Sequence, residues 1–575
     1  MYHGRVRNFE IARLFYEMAN LLEVRGESMF RIRAYQRGAQ TLEALSEDVA
    51  VLAARGTLTA LPNIGKDLAA KIQEYLTTGR MARLESLREG LPPAFLSLLE
   101  IRGLGPKTAL ALYEQLGIET VEQLEDACRS RRIVGMAGVR ERTCENILKS
   151  IAEWRAGRTR VLLPAARAVA LQVAQALRAH AGVERLEIAG SLRRMRESVK
   201  DVDILVTSTE PARVVETFVS LPSLVEVTGR GDTKASARHQ DGLAIDLRVV
   251  EPAAFGAALQ YFTGSREHNV RLRQLAIARG LKLSEYGVFD EAGVRVAGAT
   301  EEEVYAAVGL PFIPPELRED AGEFDAAREG RLPRLVEPSD LRGDLHDHTD
   351  WSDGHHPLEK LVEAAEARGY EYIIVSDHSR SLTIAGGLSV EELRAQRAKI
   401  AELQPRHRIR ILSGSECDIL EDGRLDFPDE ILAELDVVLG AVHSRFKQSR
   451  PEMTARIVRA LGHPHLDILA HPTGRKIGSR EPYDVDMEAV FAAAKAHGKA
   501  IEINASPERL DMSDVHARRA AALGIPVPIS TDTHYLSELD WTELGCAVAR
   551  RAWIGPDQVL NTRSLEELLA WTRRE

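Results

Sequence analysis

The chain has few cysteines, few lysines and no long apolar run. Its four cysteines, Cys128, Cys144, Cys417 and Cys546, are scattered over 575 residues and make no disulfide framework. No stretch reaches the roughly 18 uninterrupted apolar residues of a membrane span. The opening MYHGRVRNFEIARLF has neither the apolar core nor the cleavage site of a signal peptide. A reducing compartment, the cytoplasm, is therefore expected, with no membrane partner. Net positive charge is missing too: the total is −11, an unpromising figure for a protein that grips nucleic acid. The imbalance is local. Residues 1–310 carry 42 Lys+Arg against 39 Asp+Glu, a balance of +3, and the other 265 residues carry 33 against 47, a balance of −14. The acidity belongs to the C-terminal part, which is poorly suited to holding DNA alone but well suited to multivalent cations. A chain of this length exceeds a single core, so several domains are expected.

The stretch GSLRRMRESVKDVDILV, Gly190 to Val206, places a Gly-Ser turn and an arginine run ahead of a strand that carries Asp201 and Asp203. Residues i and i+2 of a strand share a face, and two carboxylates held side by side repel unless a cation lies between them. Asp246, in the apolar run GLAIDLRVV, supplies a third carboxylate. Three carboxylates on neighbouring strands can hold two Mg²⁺ or Mn²⁺ ions, the arrangement that clamps the attacking and leaving oxygens of a phosphoryl transfer. Gly190 and Ser191 let the backbone approach a phosphate, and Arg194 adds a charged donor. An isolated Asp-x-Asp is more often a pair of solvated surface acids. The Gly-Ser lead-in and Asp246 favour the metal site.

Upstream, apolar residues recur at helical spacing through residues 10–50. LPNIGKDLAAKIQEYL (Leu61–Leu76) and IRGLGPKTALALYEQLGI (Ile101–Ile118) each set a tight turn ahead of an alanine-rich helix, with Asn63 and Gly65 in the first and Gly103 and Gly105 in the second. Such a turn presents backbone N–H groups at a helix start and cradles one phosphate. One copy could be an ordinary helical corner; two with similar spelling point to DNA-backbone contact without sequence readout. IVGMAGVRERTCENIL (Ile133–Leu148) is a degenerate third candidate. Residues 160–250 read as an αβ segment with strands near 186–190, 201–207 and 243–250. The proline-rich, densely charged stretch Leu310–Asp340 reads as a linker.

From Leu341 the pattern is apolar run, polar tip, helix, repeated. The tips DLHDHTDWSDG, VSDHS, SGSECDI, GAVHS, LAHPT, EINAS and STDTH each end an apolar run. That is the layout of a barrel of parallel strands with its active site at the strands' C-terminal ends. The tips gather His346, His348, Asp353, His378, Glu416, His443, His471, Asp532 and His534. Nine imidazole and carboxylate ligands exceed the needs of one ion and suit two or three of Zn²⁺, Mn²⁺ or Fe. Asn504, at the sixth tip in chain order, is expected to support the ligands rather than join them.

Gly190-Ser191, Arg194, Asp201, Asp203 and Asp246 resemble the palm of a family X DNA polymerase, the group that includes the vertebrate repair polymerase beta. YFTGSREHNVRLRQLA, Tyr261 to Ala276, resembles the same family's thumb. The two turn-helix segments resemble helix-hairpin-helix motifs, and the C-terminal ligand set is similar to the polymerase and histidinol phosphatase (PHP) domain. The resemblance implies a multidomain chain: a helical DNA-binding domain with a helix-hairpin-helix (1–90), fingers with a second (91–159), an α+β nucleotidyltransferase palm (160–250), a thumb (251–310), a linker (311–340) and a distorted (β/α)7 PHP barrel (341–575). It further implies a DNA-directed DNA polymerase that fills short gaps in gapped or primed DNA in base excision repair, uses dNTPs and acts as a monomer. A metal-dependent 3′→5′ exonuclease or related phosphoesterase would occupy the barrel. Asp201 and Asp203 would bind both palm metals and Asp246 the one that activates the primer 3′-OH. Tyr261, Phe262 and Gly264 would meet the sugar, Asn269 the minor-groove edge of the base and Arg273 the template. Lys71 falls where the family's 5′-deoxyribose-phosphate lyases keep their Schiff-base lysine, and Tyr35 is in place. Asp67 and Arg31 depart from the lyase pattern, so a nucleophile and a solvated helix lysine both remain open. Two rival functions are a PHP-type phosphatase for small phosphate esters, or a 3′-phosphatase or abasic-site endonuclease, with the front half as a DNA dock. A non-catalytic DNA-binding scaffold is the third.

Overall fold

A computed structural model describes residues 2–44, 49–61, 63–78, 80–92, 94–99, 101, 104–136, 139–158, 161–180, 182–240, 242–477 and 480–572. The chain divides into two compact units, residues 1–160 and 161–575. Among the described residues no helix is long and apolar enough to cross a membrane.

The first unit is helical. Amphipathic helices Tyr2–Val24 and Met29–Ala44 bury Phe15, Met18, Leu21 and Ile32 in one core with Leu68 and Ile72 of the helix Lys66–Thr78. A second core joins Phe95 and Leu98 to Leu112 of the helix Pro106–Leu116 and to Leu124 and Ile147. The helix Pro106–Leu116 shows how its sequence fixes its ends. Gly105 is the N-cap and Pro106 the first helical residue, whose missing N–H has no partner to lose. Gly117, at φ 65°, closes it in the left-handed conformation.

The second unit begins with a five-stranded sheet. In chain order its strands are β1 (Val183–Ile188), β2 (Asp201–Ser208), β3 (Leu224–Arg230), β4 (Lys234–His239) and β5 (Ala244–Val249), and in space they run β1-β2-β5-β4-β3. β2 and β5 are parallel, and the other pairs are antiparallel. On β5 burial alternates: Ile245, Leu247 and Val249 enter the core and Asp246 and Arg248 stay half-exposed, the period-2 signature of a sheet covered on one face. Helices Leu163–His180 and Pro211–Val219 share the core of the covered face. Helices Phe255–Thr263 and Arg266–Ile277 follow, then a three-stranded antiparallel sheet and the helix Glu301–Ala307.

The segment read as a linker is packed. Ile313, Leu317, Phe324 and Leu335 enter the same core as Leu272, Val288 and Tyr305. Its charges are also engaged: Glu316 accepts from Arg550 at 2.8 Å and Glu323 contacts His268 at 2.7 Å. The segment includes the short helix Glu323–Arg328, and its four spaced apolar side chains make it a strap rather than a tether.

The C-terminal part carries seven parallel strand positions. β6 (Gly343–Asp344), β7 (Tyr372–Val375), β8 (Arg410–Asp418), β9 (Val437–Ala441), β10 (Ile468–Leu469) and β11 (Ala500–Ile501) pair in that order, and β12 (Ile503–Asn504) pairs with β13 (Ile529–Ser530). The sixth strand is thus split at Glu502, which lets one half pair backward and the other forward. Bonds from His348 N–H to the Thr533 carbonyl (2.8 Å) and from Thr533 N–H to the His346 carbonyl (3.4 Å) join the last strand end to the first. The apolar core runs on without a break from Ile204 and Ile245 of the palm sheet to Leu469 and Ile503 of the barrel.

Candidate active sites

In the palm, β2 and β5 set Asp203 directly against Asp246, with Asp201 two residues earlier on the same face of β2. Gly190, at φ 70°, closes the space beside them: a Cβ there would lie 2.5 Å from Asp203 Oδ2, so only glycine lets this turn approach the carboxylate. Burial, then the charges of Asp201 and Asp246, push the Asp203 carboxyl up to about 7. Ser236, opposite Asp246 on β4, donates its hydroxyl to Asp246 Oδ1. Three acids crowded at this cost fit divalent cations, the charge that would relieve them.

Arg194 is fixed rather than free. Its Nη1 donates to the Thr263 carbonyl at 2.5 Å and its Nε to Glu319 Oε1 at 3.2 Å. Glu319 also accepts from Arg551 Nη1 at 2.9 Å, and the same Nη1 donates to the Arg194 carbonyl at 2.9 Å. Arg551 lies on the barrel helix Thr542–Arg551, so a barrel residue supports the arginine expected to hold a triphosphate. Gly264, at φ 67°, leaves room for Arg194: a Cβ there would sit 3.1 Å from Nη1. Ser191 is half-buried at the turn. Tyr261 and Phe262 meet edge to face with centroids 5.1 Å apart, and the Arg248 guanidinium lies 4.4 Å from the Phe262 centroid. Asn269 is turned inward. Its Oδ1 accepts from Gln260 Nε2 at 2.7 Å and its Nδ2 donates to the Tyr261 carbonyl at 2.6 Å. Arg273, one turn on, is half-buried.

All nine barrel residues converge. Glu416 lies at their centre: its Oε1 is 2.7 Å from His471 Nε2 and 3.2 Å from His443 Nε2, and its Oε2 is 2.8 Å from His378 Nδ1, 3.4 Å from His346 Nε2 and 3.6 Å from His348 Nε2. Asp353 Oδ1 lies 3.4 Å from His378 Nε2 and 3.3 Å from His534 Nε2. Asp532 Oδ1 is 3.2 Å from His348 Nε2. Three sets bring their ligand atoms within 4.8 Å of one another: His348, Asp353, His378 and His534; His346, His348 and Glu416; His378, Glu416 and His443. The fit to metal rests on unmet hydrogen bonds. His346 Nε2, both nitrogens of His348, His378 Nδ1 and Glu416 Oε2 are buried and, despite contacts as close as the 2.8 Å between His378 Nδ1 and Glu416 Oε2, make no aligned hydrogen bond, a costly state that cations would remove. Burial alone would raise the Glu416 carboxyl; His443, His346 and His378 outweigh it and hold it well below the usual carboxylate range. His471 (φ 25°) and Asp532 (φ 58°) adopt left-handed backbone, strain that collects at functional positions.

The opposite nitrogens are held. His346 Nδ1 meets Glu502 at 2.8 Å, His443 Nδ1 meets Asp418 at 2.6 Å, and His534 Nδ1 meets the Asp532 carbonyl at 2.8 Å, the support that orients a metal-binding imidazole. Asn504 Nδ2 donates to Asp532 Oδ2 at 3.0 Å. Glu502 and Asp418 were missed in the sequence. Each lies two residues from a tip residue already singled out, Asn504 and Glu416, and period 2 was the signal that could have found them.

In the first unit, Gly65 and Gly105 have nothing within 4 Å of a would-be Cβ, and neither has a left-handed φ. The fold itself does not demand glycine at either place, as a turn kept bare for an outside phosphate would be. Asn63, at φ 60°, opens the first turn; Gly103 lies outside the described residues. Lys71 Nζ is 2.5 Å from Asp67 Oδ1 and 5.9 Å from the Tyr35 ring centroid, and Tyr35 donates its hydroxyl to Asp67 Oδ2 at 3.4 Å.

Family models match in chain order: a helix-hairpin-helix domain at residues 6–81, a SAM-like helix-hairpin-helix tandem at 95–153, a DNA polymerase beta thumb at 258–319 and a PHP domain at 344–506. A DNA polymerase/3′-5′ exonuclease PolX of Bacillus subtilis (strain 168) is 37% identical over 569 residues, 98% of this chain and 99% of that protein. The chain belongs to the family X DNA polymerases that carry a PHP domain. Shorter relatives match too. A probable phosphatase of Thermoanaerobacter sp. (strain X514) is 32% identical over 38% of this chain and 89% of its own length, and one of Caldanaerobacter subterraneus subsp. tengcongensis is 30% identical over 33% and 75%. The thumb match runs nine residues past the boundary expected at 310, into the strap that shares the thumb's core.

Proposed function

We propose that the chain fills short gaps in DNA during repair, base excision repair among its settings, adding dNTPs at the palm and removing nucleotides from 3′ ends at the barrel. The observation that carries this reading is the register of β2 and β5, which sets Asp203 against Asp246 beside the Gly190 turn. Asp201 and Asp203 would hold two Mg²⁺ or Mn²⁺ ions and Asp246 the one nearest the primer 3′-OH. The nine barrel residues would hold two or three Zn²⁺ or Mn²⁺ ions. Divalent ions at these sites supply the positive charge that phosphoryl transfer and phosphoester hydrolysis require and make bound water more acidic. The chain's own groups do the positioning. The Gly190-Ser191 turn and Arg194 hold the triphosphate, with Arg194 aimed by Thr263 and Glu319. Tyr261, Phe262 and Gly264 receive the sugar. Asn269 reaches the base only after leaving Gln260, and Arg273 faces the template. In the barrel Glu502 and Asp418 keep the unligated nitrogens of His346 and His443 protonated and pointed away from the metals. The turns at Asn63–Gly65 and Gly103–Gly105 hold the DNA backbone. A monomer working in the cytoplasm completes the proposal.

The deciding experiment incubates the protein with a labelled gapped duplex and Mn²⁺, with and without dNTPs. Extension with dNTPs and 3′ shortening without them are expected. A second reading, hydrolysis of small phosphate esters, is favoured by the names of the shorter relatives; rapid hydrolysis of a phosphate monoester beside an untouched 3′ end would select it. A 5′-deoxyribose-phosphate lyase at Lys71 requires an amine released from Asp67. Borohydride trapping on such an end, lost in Lys71→Ala, would establish it, and no trapping would leave Lys71 an ion-paired helix residue.

A further inference from the structure

The barrel cluster is most exposed on one side. The side chains of His346 and His348 are fully buried and Glu416 is 1% exposed, whereas His534 is 28% and Asp353 34% exposed. Asp353 and His534 are the most exposed of the nine residues, and an incoming group on this side meets them first. These two residues lie on two loops that the backbone ties together, through His355 N–H to the His534 carbonyl at 2.9 Å and His348 N–H to the Thr533 carbonyl at 2.8 Å. Each loop carries an aromatic ring close beyond its metal-site residue, His355 two residues after Asp353 and Tyr535 directly after His534. The two rings stack, with centroids 4.0 Å apart at 22°, and His356 meets Tyr535 edge-on at 6.3 Å and 77°. Tyr535 remains 46% exposed, His355 is exposed as well, and Tyr535 belongs to none of the apolar cores among the described residues. A ring that fills no core, backed on one face by a second ring at the mouth of a phosphoesterase site, is a flat surface already ordered for a planar group.

We propose that the Tyr535–His355 stack is the platform on which the base of the 3′-terminal nucleotide rests while its phosphodiester lies at the metal cluster. The inference rests on the exonuclease reading of the barrel. Its ligand class is a nucleobase at the 3′ end of single-stranded DNA. Stacking uses a face that every base has, so the site would accept all four bases, as a nuclease that removes whatever nucleotide is terminal must. It also gives the acidic barrel a hold on DNA that does not depend on phosphate charge.

The test compares single-stranded oligonucleotides that end in an ordinary nucleotide with ones whose last sugar lacks a base. A stacked base contributes about 1–3 kcal/mol, so the wild type should shorten the ordinary end about tenfold or more faster in kcat/KM. Tyr535→Ala should lose that difference, treating both ends as the wild type treats the baseless one, and Tyr535→Phe should keep it. A readout independent of the metals uses an oligonucleotide with 3′-terminal 2-aminopurine in EDTA. Binding should quench its fluorescence with the wild type and Tyr535→Phe, and far less with Tyr535→Ala. The proposal is overturned if Tyr535→Ala retains the preference for a base, if it slows both ends by the same factor, or if quenching is unchanged. If the wild type with Mn²⁺ shortens neither end, the exonuclease reading falls on its own, and the quenching experiment decides the platform.

Discussion

In the palm three carboxylates stand half-exposed on two strands, with Asp203 pushed up to about 7 by burial and by its neighbours. In the barrel the nine candidate ligands, from six strand ends, gather around one of their number, the buried Glu416, whose charge is matched by the histidines around it. Among the described residues, the sets of three or more such ligands with atoms within 4.8 Å all lie in the barrel. The palm's nucleotide-side groups are also occupied with one another, Asn269 with Gln260 and Arg194 with Thr263 and Glu319. The contrast teaches that the barrel's side chains are already gathered as a metal centre would need them, whereas the palm's stand apart until something binds. A nucleotide brings its own phosphates to such a site, so a fixed cage of protein ligands is unnecessary.

The comparison breaks most sharply if one site's ligands prove necessary to the other. Asp203→Ala should abolish nucleotide addition and spare 3′ shortening; ordinary extension by this variant would refute the palm assignment. His346→Ala combined with His348→Ala should do the reverse, removing barrel metal and 3′ shortening with gap filling intact. Elemental analysis showing the metal gone while shortening persists would move the nuclease out of the barrel. A prepared centre should also depend on its supports. Glu502→Gln should weaken barrel metal binding about 10–100-fold, measured by competition with a chelator, without changing dNTP incorporation.

A smaller effect should cross between the sites. Arg551 donates both to Glu319 and to the Arg194 carbonyl, and each charge-assisted bond contributes about 1.5–3 kcal/mol. Arg551→Ala or Glu319→Gln should therefore raise the KM for dNTP by about tenfold, leave 3′ shortening unchanged and shift kcat less than KM. Unaltered steady-state constants would show that Arg194 needs no help from the barrel.

The sequence carried which side chains come together better than their setting. Asp201, Asp203 and Asp246 were legible because a strand's period of two is written in the residues themselves, and the barrel's tips were legible because the same chemistry recurs at successive strand ends. What lay between the domains was not. Leu310–Asp340 looks like a tether because proline and charge are local signals, whereas burial of Ile313 and Phe324 depends on partners far off in sequence. Glu319 and Arg551 could not be paired from sequence for the same reason, since they lie 232 positions apart. Nor could the inward turn of Asn269, which depends on the rotamer of Gln260.

The smallest expected effect lies in the first unit, where no metal chemistry is involved. Gly65 and Gly105 stand at helix starts with ordinary φ and no atom near a would-be Cβ. Alanine at either place meets no clash, and its poorer capping is offset in part by the lower entropy it gives the unfolded chain, so stability should change by no more than about 1 kcal/mol. A methyl group on the turn would nevertheless hold a phosphate away from the backbone N–H groups it is expected to approach. Gly65→Ala with Gly105→Ala should weaken binding to gapped DNA several-fold, to the same degree for unrelated sequences, and make the salt dependence shallower because fewer phosphates are engaged. Thermal unfolding run alongside the titration separates the two quantities. Equal loss of stability and of binding would mean that the glycines serve the fold. Unchanged affinity at unchanged salt slope would mean that these turns do not touch DNA, and the grip would then have to come from arginines elsewhere on the chain.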